Sequence, residues 1–566
     1  MPHSVSFRRK PNSSRPGGVV DEDPGAASPR GGLRVLMLVG LCLVIGTCGL
    51  WRKALEHHSR LDEGAYRSFS PLICVMRHPV LVALAAAPVV LAAATGAGWG
   101  ALGETGQAVR IAAVIMASVL AWAYATYERN YLYERAHLLE RLALPILACA
   151  IWMHPAAVAP FLMVLFVVLG QFDHPRTFFA TRTPVRLPID LLSTAGIGAL
   201  LASVGVGEPG VVPIAMLAVF GAHYAAAGLA KLRLAEGVTW WLRRNELVNL
   251  FINAHAQGWM SRLSGKSAAR LAGILRRGTP VLAAATLAVE LGAVLAPVHP
   301  WVAVGVLGGC IVLHAGIYAT SAINFYKWAT ADAALIVMTL VLVESGSGGM
   351  FGWGALWATL LVLPLAMVVM APVRLGWSDT RLCIYFRFIA VGESGTTYEL
   401  PAAFFAPLDV IFAQGRFYFL RRRPHLVDTF GCNTRRDERA NGLAEAICAT
   451  GGDPEAITRL CAHRGLKKYD PASANVLEEV IRRACVRPGR HRWWRRLLRA
   501  CAAPKHIDVG MRGVPYHDDE PLREIIVRAV ETYAHPSGRI DTVHDEVVLR
   551  INVGEPVLPA ATRRAA

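Results

Sequence analysis

The run Tyr224-Ala225-Ala226-Ala227-Gly228-Leu229-Ala230-Lys231-Leu232 places a lysine at the end of an apolar helical stretch. A charge inside a membrane span costs about 2.5–3.5 kcal/mol on insertion scales, so such a residue marks a functional site by default. The chemistry open to it is acid–base: partial desolvation disfavours the ammonium form and turns a lysine toward general-base work. Other apolar runs also carry polar groups: Asp173-His174, Glu290 within Leu287-Ala288-Val289-Glu290-Leu291, His314, and the trio Asn324, Tyr326 and Lys327. A histidine near the lysine can hold a proton or orient a substrate. A carboxylate such as Glu290 is costlier to bury than a histidine. Together these groups can face one shared cavity. The structural alternative is that Lys231 snorkels to the headgroups, with Arg233 marking the end of a span, and that His314 is satisfied by a neighbouring helix.

The elements that must position these residues are membrane spans. Of 566 residues 54% are hydrophobic and 17% charged, and apolar runs recur that are long enough to cross a hydrocarbon core of roughly 30 Å. They lie near 35–50, 78–96, 109–126, 142–170, 190–206, 211–230, 279–297, 301–322, 331–345 and 354–372. This predicts an all-α polytopic bundle of nine or ten transmembrane helices. His154-Pro155 interrupts the run at 142–170, which reads either as one kinked helix or as a helix plus a re-entrant half. Residues 1–33 are rich in Pro, Gly, Ser and Arg and read as a disordered basic tail. No cleavage site of small residues follows Gly49, so the first helix is expected to be retained. Basic residues crowd 231–278 and the C-terminal third, while Arg52, Lys53, Arg60 and Arg67 also follow the first span, so the positive-inside rule gives no single orientation.

The net charge of +17 follows from arginines at helix ends facing anionic headgroups, and no soluble basic module signals nucleic-acid binding. The eleven cysteines form no C-x-x-C pair, which predicts reduced, structural thiols and neither a zinc nor a redox motif. From residue 374 the pattern becomes soluble and mixed α and β. Arg381–Ile389, Gly395–Pro401 and Arg416–Leu420 read as strands, 434–450, 454–464, 471–485 and 519–534 as helices, and Glu546–Val553 as a last strand. The organisation expected is therefore a tail at 1–33, a multi-span domain at 34–373 and a C-terminal α+β domain at 374–566. His491-Arg492-Trp493-Trp494-Arg495-Arg496 suits an interfacial helix or a solvated face with buried tryptophans. Trp240-Trp241-Leu242-Arg243-Arg244 reads as an aromatic belt directly after a span. Two acidic and histidine clusters, Tyr516–Glu520 and Asp541–Glu546, hold metal-ligand types without a recognised ligand spacing and read as loop and cap residues, so no metal is expected.

The order of these features resembles the horizontally transferred transmembrane (HTTM) family, related to the vitamin K-dependent γ-glutamyl carboxylases. The family's Tyr-x-x-Ala-Gly-x-x-Lys-Leu element is matched by Tyr224, Ala227, Gly228, Lys231 and Leu232. A span with an acidic residue follows, similar to Glu290, and then a helix with a histidine and an apolar, aromatic turn, similar to His314 and Ile323-Asn324-Phe325-Tyr326. The resemblance spans roughly residues 75–345. It implies a lysine base, Lys231, that deprotonates a reduced quinone, either menaquinol or vitamin K hydroquinone. A histidine from an earlier helix would assist. His174 is its nearest counterpart, with Asp173 where the carboxylases have Asn, and Asn130–His137 is a rival segment. Tyr224, Glu290 and His314 would then bind the substrate or cofactor. The partners expected are the lipid bilayer and a lipid-soluble quinol. Abundant Ala, Arg and Gly fit a bacterial origin and a multi-pass place in the plasma membrane. Two other functions stay open: a transporter or pore whose polar path is lined by Glu290, His314 and Lys231, and a membrane scaffold that positions the C-terminal domain.

Overall fold

The computed structural model describes residues 29–553 apart from 127–136, 171–182, 235–238, 401–416, 428–430, 434–441, 486–500, 505–512, 515 and 517–519. Asp173, His174, residues 130–136, the basic tryptophan segment at 491–499 and most of the Tyr516–Glu520 cluster lie outside the described residues.

In hydrocarbon a backbone must satisfy its own hydrogen bonds, so the apolar runs form helices. Helix α1 (Pro29–His58) is followed by the short α2 (Glu63–Arg67) and α3 (Pro71–Val75), then by α4 (Pro79–Thr95), α5 (Gly103–Thr126), α6 (Leu138–Met153), α7 (Val158–Gly170), α8 (Arg186–Ser203) and α9 (Val211–Leu232). The short α10 (Trp240–Arg244) and α11 (Val248–Ala256) lead into α12 (Gly265–Gly292), α13 (Pro300–Ser321), α14 (Tyr326–Glu344) and α15 (Trp353–Val369). Among the described residues seven helical segments are long and apolar enough to cross a membrane: Val35–His58, Trp99–Thr126, Thr183–Ser203, Val211–Leu232, Gly265–Val298, Pro300–Ser321 and Tyr326–Glu344. Three shorter apolar helices, Pro79–Thr95, Pro155–Gly170 and Trp353–Val369, account for the remaining runs of the sequence. This is a multi-pass membrane protein.

The run at 142–170 is broken rather than kinked. His154 is extended at φ −153° and ψ 134°, and its imidazole Nδ1 accepts the Ala156 N–H at 3.1 Å, capping a new helical start at Pro155. Proline cannot donate to the preceding turn, so the ladder ends there, and α6 and α7 pack against each other.

Burial sorts the helices. In α13 the buried residues are Pro300, Ala303, Leu307, Cys310, His314 and Ser321, one stripe at helical spacing with the opposite face open to lipid. In α9 nearly every residue from Val211 to Lys231 is buried, because α1, α8, α12 and α15 all pack around it. Helix α1 is tied in by charge as well as by packing. Arg52, fully buried, contacts Asp190 of α8 through Nε at 2.9 Å and Glu56 through Nη1 at 2.5 Å, and donates to the Met370 carbonyl at 2.9 Å. Arg186 closes on Glu56 at 2.7 Å, and His223 of α9 meets Asp190 at 3.0 Å.

Beyond α15 the strand pair β1 (Ser378–Asp379) and β4 (Cys432–Asn433) precedes an antiparallel sheet of order β3-β2-β5-β6, built from β2 (Leu382–Gly392), β3 (Thr397–Glu399), β5 (Leu522–Ala534) and β6 (Ile540–Asn552). Helices α16 (Leu443–Ala449), α17 (Pro454–Arg464) and α18 (Pro471–Cys485) complete the α+β part. The helix expected at 519–534 is instead strand β5. The acids before Pro521 resemble a helix start, but Ile525, Val527 and Ala529 are buried at a period of two and pair with β2 on one side and β6 on the other. Phe417–Leu420, expected as a strand, is a 3₁₀ turn whose aromatic rings fill the core. The acidic cluster at 541–546 lies on β6, which spreads its side chains over two faces. Asp541 pairs with His535 and Arg539, Asp545 with Arg528, and Glu546 with the buried Arg421.

Replacing Arg52 with Leu removes the fully buried one of the two arginines that Asp190 and Glu56 share, leaving Arg186, and a buried ion cluster stripped of one partner loses roughly 3–5 kcal/mol. Arg52→Leu is therefore expected to unfold far earlier than the native protein in detergent melts. Native-like melting of this variant would show that the cluster does not hold α1 to α8.

Candidate functional site

Lys231 has no solvent exposure, and its Nζ donates to Glu290 Oε1 at 2.6 Å. The approach depends on small residues. A Cβ built on Gly228 would come 2.8 Å from Leu291 Cδ2 and 3.4 Å from Glu290 Cβ, so glycine at this position lets α12 close on α9. On the other side the chain after α15 folds over the amine. The Leu375 carbonyl accepts from Nζ at 3.2 Å, and the Trp377 ring lies 4.3 Å and the Trp241 ring 5.6 Å from it. Trp241 Nε1 donates to the Trp377 carbonyl at 2.9 Å, fixing the two rings together. A Cβ on Gly376 would meet the Ala230 carbonyl oxygen at 3.0 Å, which is the closeness this fold-over requires. Glu290 Oε2 is buried and has no hydrogen bond among the described residues.

Seven residues earlier on α9, two turns along the same face, stands Tyr224. Its hydroxyl donates to Asp332 Oδ2 of α14 at 2.7 Å and lies 2.7 Å from His314 Nε2 of α13. Phe325 and Trp328 rings pack on His314 with centroids 5.2 and 6.0 Å away. The sequence therefore named four residues that fall into two adjacent constellations, Lys231 with Glu290 and Tyr224 with His314. His174 lies outside the described residues. Of its rival segment His137 is described, and its Nε2 contacts the Tyr66 carbonyl at 2.9 Å. Lys327 lies 4.3 Å from the Tyr326 ring and 5.7 Å from the Tyr124 ring.

Sequence reading missed Asp332, Asp190, Arg52 and His223. Asp332 carried the same signal as Glu290, a lone acid in an apolar run, Ala331-Asp332-Ala333-Ala334. Compared with models of known families, with curated proteins and with solved structures, the chain matches none.

Just beyond the lysine, Asp379 on β1 is buried. Asn245 Nδ2 donates to its Oδ2 at 2.7 Å, and Asn245 Oδ1 accepts its backbone N–H at 2.7 Å. Burial pushes its carboxyl from the ordinary 3.8 up to about 7, against the smaller opposing pull of the Asn245 and Cys432 hydrogen bonds. The folded chain thus holds this proton more tightly than the unfolded chain. The group's contribution is greatest in acid and is lost as pH rises from about 4 to about 7.

Two outcomes are expected. Lys231→Met alone, which leaves Glu290 unpaired, costs roughly 3–5 kcal/mol, whereas the double variant Lys231→Met/Glu290→Leu returns to within about 2 kcal/mol of the native protein; a double variant no better than the single one would show that the pair is not coupled. In denaturation profiles between pH 4 and 7, the native protein should lose stability relative to Asp379→Asn by about 1.4 kcal/mol per pH unit, and parallel profiles would contradict the assignment.

Proposed function

We propose that this chain is a membrane-embedded acid–base enzyme of the HTTM type, in which Lys231 takes a hydroxyl proton from a lipid-soluble substrate of the quinol class. The observation that carries this reading is the complete burial of Lys231 against a carboxylate 2.6 Å away. In a low-dielectric enclosure, moving one proton along that hydrogen bond converts an ammonium–carboxylate pair into a neutral amine and a carboxylic acid. The neutral amine is a base with a lone pair. A substrate O–H then breaks as an N–H forms on Nζ, and the new ammonium sits beside the substrate's oxygen anion, so charge stays balanced inside the site.

The surrounding residues are of the kinds that would recognise an aromatic diol. Trp241 and Trp377 offer flat faces beside Nζ, and Glu290 Oε2 is an open acceptor for a hydroxyl. Leu375 and Trp377 shield the amine from water, which strengthens each polar contact within. Tyr224, held between His314 and Asp332, supplies a second set of proton-holding groups two turns along α9. The reduced quinone contributes the oxidisable ring, and the chain contributes the base and the enclosure. The plasma membrane is the compartment in which such a substrate and this bundle would meet.

In nanodiscs with reduced menaquinone, the native protein should consume oxygen and form quinone epoxide. Lys231→Met/Glu290→Leu, expected to stay within about 2 kcal/mol of native stability, should lose at least about 100-fold in rate, the scale of a lost general base. No epoxide from the native protein, or full activity in the double variant, would overturn the enzyme reading and leave transport or scaffolding.

A further inference from the structure

A cleft of about 730 Å³ separates α10 and α12 from β1 and α16. Four guanidinium groups line it: Arg243 and Arg244 from the last turn of α10, Arg276 from α12, and Arg381 just after β1. Three carboxyl groups share it, but they do not cancel the arginines evenly. Glu246 is already taken by Arg381, through Nη2 at 2.8 Å and Nε at 3.1 Å. Asp379 is buried in the floor, where Asn245 donates to it, and burial pushes its carboxyl up to about 7. Arg276 is anchored by donating to the Pro536 carbonyl, and among the described residues Arg243 and Arg244 make no ion pair and are exposed. An anion entering the cleft thus meets three arginines from two elements, with Glu445 as the single unengaged carboxylate.

The cleft also stands at a lipid boundary. On the open face of α12 the charged residues end at Arg277, and lipid-compatible surface begins at Pro280, with Val281 72% and Leu282 42% exposed. Thr279 and Pro280 are part of the cleft wall, and so is Trp240, a residue type that settles at the headgroup level. Arginine forks bind phosphate oxygens in pairs, and basic pockets beside spans take lipid headgroups. The volume is in the range of pockets that enclose a small organic ligand.

We propose that this cleft binds a phosphate ester anion, held by Arg243, Arg244 and Arg276, with the ester's organic part directed along Trp240 and Pro280. The ester can be the headgroup of an anionic phospholipid or a free phosphate ester from solution. The site is separate from the proposed chemistry at Lys231, and its test does not depend on turnover.

Binding to the delipidated full-length protein in detergent would be measured by calorimetry with three probes: dioctanoyl phosphatidylglycerol, dioctanoyl phosphatidylcholine and glycerol 3-phosphate. Expected is saturable one-site binding of the phosphatidylglycerol that weakens at least tenfold in Arg243→Gln/Arg244→Gln and stays unchanged in Arg262→Gln, an exposed arginine outside the cleft. A phosphatidylglycerol affinity at least tenfold above that of glycerol 3-phosphate assigns a membrane source; comparable affinities assign a soluble ester. Absence of saturable binding by either anion, equal binding of the phosphatidylcholine, or equal loss in Arg262→Gln would overturn the proposal. Both variants are surface changes, and unchanged melting and gel-filtration profiles would separate lost binding from lost fold.

Discussion

A helix enclosed on every side can carry ionisable groups only if its neighbours bring their partners, and α9 is such a helix. His223, Tyr224 and Lys231 reach four neighbouring helices between them, and each finds its counterpart: Asp190 on α8, Asp332 and His314 on α14 and α13, and Glu290 on α12. Unpaired, each of these groups would carry a desolvation cost of several kcal/mol. Apolar contact alone would let spans slide and rotate against one another, because lipid is as apolar as the helix surfaces. The polar pairs remove that freedom by fixing which face of α9 meets which helix. The Arg52 cluster extends the same constraint outward, since it joins Asp190 to α1 and to the carbonyl ends of α15.

Much of this was legible in the sequence because the cost of burying charge is paid residue by residue. Lys231, Glu290 and His314 stand out in apolar runs without any knowledge of helix order, whereas Tyr224 entered only through the resemblance. Their pairing was not legible, because it depends on which helices are adjacent, and a hydropathy pattern carries no such information. Asp332 and His223 were overlooked beside more prominent neighbours, and Arg52 was counted only among the positive residues that follow the first span. That residue sits near the end of its span, where snorkelling and burial give the same sequence pattern. The membrane spans emerged in number and order, but helix α12 begins at Gly265 rather than 279 and α1 runs on to His58 rather than 50, because charged residues continue a helix that hydropathy alone ends. The interruption at His154-Pro155 was visible without showing whether the helix kinks or breaks. Strand β5 was misread as a helix because acidic residues before Pro521 imitate a helix start, while the deciding evidence, the period of two in Ile525, Val527 and Ala529, lies further along.

The C-terminal part is bound to the lysine by the shortness of the chain between them. Helix α15 ends at Val369, and β1 begins at Ser378. Within that interval Leu375 and Trp377 cover the amine, Gly376 lies against Ala230, and two residues beyond Trp377 the Asp379 backbone is clasped by Asn245. Arg381 then meets Glu246, and the end of β5 packs through Ala534 against Phe251 and Ala268 of α11 and α12. The docking of the sheet and the cover over Lys231 therefore share one short stretch of chain. Two residues of extended chain span only about 7 Å, so the clasp of Asn245 on Asp379 restricts how far the Trp377 ring can stand from the lysine.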